Sequence, residues 1–165
     1  MHSGIAVLLW ALAAVPSAHA AEPHAQAQAR ALQTDETVPV SRGTRLAIDN
    51  YAGEVVIHTW DKEAVHVQAR HAARTRVSIR NGAGGISISA VSSNGQAGSV
   101  DYDITAPSWM VMKVEGHFNF VTIEGAQNEV SVLTVRGDIV VKGSAGSITA
   151  KTIEGEILVE GDAES

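Results

Sequence analysis

The sequence predicts an all-β fold: a single-domain β-solenoid with coils of about 18 residues and a less regular β part before them. The composition favours this fold, because aromatic residues are only 4 % of the 165-residue chain while glycines number 15, as short strands with tight turns require. Apolar and polar residues alternate from Val38 onward, the period of a half-buried strand. In addition, residues 134–143 match residues 152–161, as in stacked repeats.

Residues 1–20 are predicted to be a secretory signal peptide. An apolar run over residues 5–15 precedes the small-residue cleavage pattern Ala-His-Ala at 18–20. The run is too short to cross a bilayer, so we expect no stable membrane span after cleavage. Only the amino terminus and His2 supply positive charge before it, so an uncleaved anchor remains the alternative. The signal predicts an exported protein, in the periplasm, on the cell surface or secreted.

A flexible linker is predicted over residues 21–37, because the stretch is rich in Ala and Gln and has no sustained apolar face. Residues 38–165 then form the β-strand-repeat domain, since 45 % apolar and 18 % charged residues are typical of a globular chain. In the repeat register Ser165 aligns with Ser147, one position before a coil's second strand. We therefore expect either a truncated product or an unpaired edge, which favours end-to-end or edge self-association.

Turn formers such as Gly53, Asp61 and Asn81-Gly82 separate the predicted strands. The alternating apolar residues of these strands are Leu46, Ile48, Val55, Ile57, Val65, Val67, Val77, Ile79, Ile86, Ile88, Val100, Tyr102 and Ile104. Residues 53–58 match residues 137–142 only loosely. The N-terminal part is therefore expected to form irregular coils or an antiparallel cap.

Gly137 and Gly155 mark predicted corners of the C-terminal coils. One period earlier the same position holds Asn119, and Asn is among the side chains that best tolerate the left-handed backbone of a tight corner. After the corner, Ile139 and Val141 alternate with polar residues and are expected to point inward. Stacked coils would share this apolar core.

Two segments carry a resemblance to a known family. They are LAIDNYAGEVVIHTWD at residues 46–61 and YDITAP at residues 102–107, together with the recurring Gly-Asp-Ile and Gly-Glu-Ile corners. Over about residues 40–165 the chain resembles the bacterial β-strand-repeat family of unknown function labelled putative adhesin. The resemblance implies an exported or envelope-associated β-solenoid, with no catalytic residues to carry over.

The charge pattern bears on partners. The net charge of −6 makes general nucleic-acid binding a poor expectation. The one basic cluster consists of Arg70, Arg74, Arg76 and Arg80, beside His71. These arginines are the candidate contact residues for an anionic glycan, lipid headgroups or the acidic coils of a neighbouring molecule. A solvated edge, protected from mispairing by its charges, is the alternative.

Two pairs of side chains suggest catalysis or metal binding. Asp101 and Asp103 share one strand face at about 6.5–7 Å, a separation near that of the carboxylates in inverting glycosidases. Alternating acidic residues are, however, typical of a solvent-facing strand. His58 and His66 lie on neighbouring predicted strands, but their spacing matches no zinc motif. We expect no catalytic residues, no metal and no cofactor.

The sequence thus favours a non-enzymatic exported scaffold, adhesin-like, that binds an envelope glycan or envelope protein. A periplasmic sensing module that contacts a membrane protein is the alternative, and a polysaccharide-acting enzyme is a remote one. Trp60 and Trp109 could stack on sugars if exposed, or could cap the apolar interior.

Overall fold

Eleven strands in a single sheet form the part of the chain that the computed structural model describes, residues 32–93 and 98–161. The strands are β1 Leu32–Pro39, β2 Arg45–Trp60, β3 Ala64–His71, β4 Thr75–Gly82, β5 Gly85–Ser92, β6 Val100–Pro107, β7 Val111–Glu124, β8 Val130–Arg136, β9 Ile139–Lys142, β10 Ile148–Lys151 and β11 Ile157–Glu160. No helix occurs within these two ranges. The all-β prediction is confirmed; the predicted signal peptide lies outside the described residues.

Two long strands, β2 and β7, organise the sheet. They pair in parallel from Arg45 to Ile57 of β2, and both pass through a bend near Gly53. Before the bend they belong to one arm, in the order β4-β5-β2-β7-β8-β10. After the bend they belong to a second arm, in the order β1-β3-β6-β2-β7-β9-β11. The sequence pattern had suggested two strands where β2 runs continuously.

Pairing changes character along the chain. β1, β3 and β6 pair antiparallel, and β4 and β5 form an antiparallel hairpin, so the antiparallel alternative applies to these N-terminal strands. The C-terminal strands pair in parallel, with Val121 beside Ile139 and Ile139 beside Ile157. In the other arm Val130 lies beside Ile148. The sheet is not closed.

Residues 32–37 were assigned to the linker from the sequence, and the structure corrects this boundary. They belong to β1, which pairs with β3 along its whole length, from Leu32 opposite His71 to Pro39 opposite Ala64. Main-chain pairing with a neighbour does not need an apolar side-chain pattern. A polar edge strand is therefore not detected by looking for alternating apolar and polar residues. The remainder of the predicted linker, residues 21–31, lies outside the described part.

The inner faces of both arms supply one apolar core. Its members come from nearly every strand and include Leu46, Ile57, Val67, Ile88, Tyr102, Ile104, Met112, Ile123, Val132 and Ile139. These are the positions that the alternation predicts to face inward.

The bend is built differently from the prediction. Gly53 and Gly137 have the positive φ of a left-handed backbone, but Asn119, which pairs with Gly53, does not, and no non-glycine residue of the described ranges does. Asn119 instead turns its side chain into the bend and hydrogen-bonds to Asn50. The side-chain amide takes the place of a special backbone conformation.

Candidate functional site

A basic cleft lies between the β1–β3 pair and the β4–β5 hairpin. Its volume is about 380 Å³, and its lining residues are Thr34, His71, Ala73, Arg74, Thr75, Arg76, Val77, Val91, Ser92 and Ser93. Two arginines, one histidine and four residues with hydroxyl side chains thus line the cleft, and no carboxylate is among the lining residues. The arrangement suits a ligand that carries negative charge and accepts hydrogen bonds.

His71 forms part of the cleft wall and is held from two sides. Its Nδ1 donates to the main-chain oxygen of Ala72 at 3.2 Å, because a carbonyl can only accept. Its Nε2 therefore accepts the hydroxyl proton of Thr34 at 3.0 Å when the ring is neutral. The bond with Thr34 joins β1 to the end of β3, and the bond with Ala72 fixes the orientation of the ring. The cleft wall is consequently a fixed surface.

The four predicted contact arginines are all exposed, but they do not form one group. Arg74 and Arg76 line the basic cleft. Arg70 lies on β3 and is paired across the sheet with Asp101 of β6. Arg80 lies near the far end of β4, opposite Ser87, and is not among the residues that line the cleft. The turn after His71 separates Arg70 from the others, although all four share the same sequence parity.

Asp101 and Asp103 lie on β6, but Asp101 has a structural partner. Its Oδ1 accepts a hydrogen bond from the main-chain N–H of Glu54 at 3.1 Å, beside the bend. The same kind of contact recurs between the last two coils, where Oδ1 of Asp138 accepts from the N–H of Glu156 at 2.9 Å. Asp103 lies on the exposed face, opposite Gln68. The first carboxylate stabilises a turn.

His58 and His66 face carboxylates on different strands. His58 donates from Nδ1 to Glu124 at 3.0 Å, and His66 donates from Nε2 to Asp35 at 2.8 Å. The amide of Gln68 and then the His66 ring lower the pKa of Asp35. Over residues 32–93 and 98–161, no group of three His, Cys, Asp or Glu side chains could hold a metal ion.

A second surface lies on the outside of the bend and is called here the corner ridge: Tyr51, His117, Phe118 and Phe120. The side chains of Tyr51, Phe118 and Phe120 are 43 %, 43 % and 58 % exposed. The Tyr51 ring lies 5.4 Å from the His117 ring and 5.7 Å from the Phe118 ring, centroid to centroid. Aromatic residues exposed together in this way are informative, unlike a single exposed apolar side chain.

Sequence reasoning missed the corner ridge and singled out the tryptophans instead. Trp60 is half-buried, and its Nε1 donates to the main-chain oxygen of Ala64 at 2.8 Å. Trp109 packs against the core. A cation lies over each indole, Lys62 at 4.7 Å and Arg42 at 5.7 Å from the ring centroid. Both tryptophans are only partly exposed, whereas Tyr51, Phe118 and Phe120 are exposed, so the ridge offers the freer ring surface.

In the part of the chain that the structure describes, there is no helix that is long and apolar enough to cross a membrane.

The fold defines an all-β protein. Its similarity to known proteins is confined to solved structures of low sequence identity. No protein-family model and no curated protein matches the sequence. A putative cell adhesion protein from Clostridium sporogenes is similar in structure, with a TM-score of 0.46 and 8 % identity over 79 % of this chain and 100 % of that one. A putative adhesin from Parabacteroides distasonis gives a TM-score of 0.35 and 11 % identity over 78 % of this chain and 70 % of that one.

A putative adhesin from Parabacteroides merdae gives a TM-score of 0.32 and 7 % identity, over 78 % of each chain. Solved structures with the adhesin description are thus among those similar to this chain. These similarities are too remote to bear on its function.

Proposed function

We propose that this protein is an exported, non-enzymatic β-sheet scaffold of the adhesin type, which binds an anionic component of the bacterial envelope or its surroundings. The observation that carries the proposal is the basic cleft, in which Arg74 and Arg76 meet His71 and four hydroxyl side chains. Export is inferred from the signal-like residues 1–20.

The chemistry of the cleft favours a carboxylate, phosphate or sulfate group. A guanidinium donates two parallel hydrogen bonds to such groups, with a geometry that a lysine cannot match. The hydroxyl groups of Thr75 and Ser93, which also line the cleft, add neutral donors. Because the arginines lie on or beside a paired hairpin strand, their backbone is already ordered, and binding has to order only their side chains.

The absence of catalysis is part of the proposal. Of the two carboxylates that could serve a glycosidase, Asp101 accepts the N–H of Glu54 at the bend. A carboxylate that is committed to a turn is poorly placed to act on a substrate.

We propose also that the C-terminal strands wind as coils of a solenoid. The parallel neighbours Val121, Ile139 and Ile157 support this architecture, since each lies 18 positions after the one before. In the other arm Met112, Val130 and Ile148 repeat the same step. Coils stacked this way present flat, repetitive outer faces that suit a scaffold.

The test is co-sedimentation of the purified protein with isolated bacterial envelopes, either untreated or shaved with protease. We compare the wild type, the Arg74→Ala/Arg76→Ala double variant and the matched control Arg80→Ala, an exposed arginine outside the cleft. Loss of binding in the double variant only, and weaker wild-type binding as salt rises, would support the proposal. Equal binding by all three proteins would refute the cleft as the contact site.

The shaved envelopes separate the two kinds of partner. Binding that survives shaving indicates a glycan or lipid and supports the adhesin-type scaffold. Binding that shaving abolishes indicates an envelope protein, and the sensing module becomes the better description. Glycan cleavage that is lost in Asp103→Asn would instead favour the enzyme and contradict the proposal.

A further inference from the structure

We propose that the corner ridge is a second binding site, and that its ligand is a neutral glycan whose pyranose rings stack on Tyr51, Phe118 and Phe120. The ridge shares no residue with the basic cleft. This inference therefore does not depend on the function proposed above.

The ridge offers the surface chemistry that a sugar ring matches. One face of a pyranose ring is made of C–H groups, and it packs on an aromatic face while the ring's hydroxyls stay at the rim. Three half-exposed aromatic side chains provide such faces.

Two of the three stacking rings, Tyr51 and Phe118, are held by contacts with neighbouring side chains. Tyr51 and Phe118 pack edge to face at an interplanar angle of 75°, a favoured aromatic geometry. The guanidinium of Arg136 lies 5.8 Å from the Phe118 centroid, and its Nε donates to Glu154 at 2.6 Å. All of the rings stand on the paired strands β2 and β7. A rigid platform lowers the entropy cost of binding.

Polar side chains lie beside the rings, on the same strands or on the strands that pair with them. His117 and Glu54 are exposed, and Glu54 lies directly opposite Phe120 in the sheet. Arg136 lies on the neighbouring strand β8, directly beside Phe118. It forms a salt bridge with Glu154, which lies between β10 and β11. These side chains can donate to and accept from sugar hydroxyl groups.

The size of the ridge favours a glycan over a folded protein partner. Three aromatic side chains that are about half exposed present roughly 300 Å². A stable protein interface needs about 800 Å² on each partner. An area of this size fits a few consecutive sugar residues.

The experiment is a ¹H–¹⁵N NMR titration of the whole protein with cellohexaose and, separately, with chitohexaose. We expect shift changes centred on the bend of β2 and β7. Tyr51→Ala and Phe120→Ala should each weaken binding about twofold to tenfold, the worth of one aromatic contact, and Phe120→Trp should preserve it. Leu158→Ala, an exposed apolar residue of β11 outside both the ridge and the basic cleft, is the matched control.

Three results would overturn the inference. They are no shift change with either sugar up to about 10 mM, shift changes that the ridge variants leave unaltered, and ridge variants that lose only protease-sensitive envelope binding. The last result would identify the ridge as a protein interface. Because the substituted side chains are exposed, unchanged amide spectra away from the bend confirm that each variant is folded.

Discussion

Asn50 and Asn119 exchange two hydrogen bonds inside the bend. The Nδ2 of Asn50 donates to Oδ1 of Asn119 at 2.8 Å, and the Nδ2 of Asn119 donates to the main-chain oxygen of Asn50 at 2.5 Å. The first amide also reaches the main-chain oxygen of Val100. Both side chains are buried, so the pair links the bends of β2 and β7 to the first residue of β6.

Replacing Asn119 with Ala should lower the free energy of unfolding by about 1–3 kcal/mol, because it leaves buried polar groups of Asn50 without partners. Chemical denaturation measures the change. The control is Asn81→Ala, an exposed amide with one 3.4 Å contact, for which about 0.5 kcal/mol or less is expected. Equal losses would show that the buried pair contributes no special stability.

Gly137→Ala should be destabilising. The residue has φ of +125°, and a Cβ there would lie 2.0 Å from the main-chain oxygen of Asn119. The backbone conformation alone costs about 1–3 kcal/mol, and relief of the clash requires a strand to shift. Gly82→Ala is the matched control, since its Cβ would meet nothing within 4 Å. Comparable melting temperatures for the two variants would contradict the assigned corner geometry.

Tyr102→Phe should leave the protein as stable at neutral pH or up to about 1 kcal/mol more stable, because the buried Tyr102 hydroxyl has no hydrogen-bond partner among residues 32–93 and 98–161. Burial, followed by the charge of Asp49, raises the pKa of Tyr102. The neutral phenol is therefore favoured in the folded state, and its contribution to stability is full below pH 10.0 and falls as the pH rises above that value.

The measurement is denaturant unfolding of the wild type and variant at neutral pH and about one unit above the ordinary tyrosine pKa. In Tyr102→Phe the free energy of unfolding should fall less between the two pH values than it does in the wild type. In Tyr51→Phe, which changes an exposed ring, it should fall as much as in the wild type. The same alkaline loss in all three proteins would refute the assignment to Tyr102.

Ile139 and Ile157 occupy the same position on adjacent parallel strands, and they are 0 % and 44 % exposed. Truncating Ile139 to Ala should cost about 2–5 kcal/mol, whereas Ile157→Ala should cost about half as much or less, since less surface is buried. Thermal and denaturant unfolding test the difference. Equal costs would show that the Ile157 side chain is covered in solution.

The inward-facing residues could be predicted from the sequence because strand side chains alternate strictly. Val121 and Ile123 are buried, as their match to Ile139 and Val141 requires. The same register implies that Phe118 and Phe120 point outward and Asn119 inward. Hydrophobicity suggests the reverse, so the corner ridge was missed although the repeat contained the signal for it.

The basic cleft could be predicted only in part. The alternation of strand side chains correctly puts Arg76 and Arg80 on one face of β4. It does not indicate which strand forms the opposite wall of the cleft. Thr34 and His71 complete the cleft because β3 pairs with β1, which brings the two residues to the same wall. That contact joins positions far apart in the sequence and belongs to a polar strand, so no local pattern reports it.

The long strand β2 also bears on how the chain folds. It pairs with β5, β6 and β7, so most of its hydrogen-bond partners are synthesised tens of residues after it. Contacts between such distant residues raise the contact order, and domains dominated by them fold in about milliseconds to seconds. We expect the N-terminal strands to remain without a native core until β7 has emerged, which makes this protein a slow folder that forms its sheet late and almost all at once.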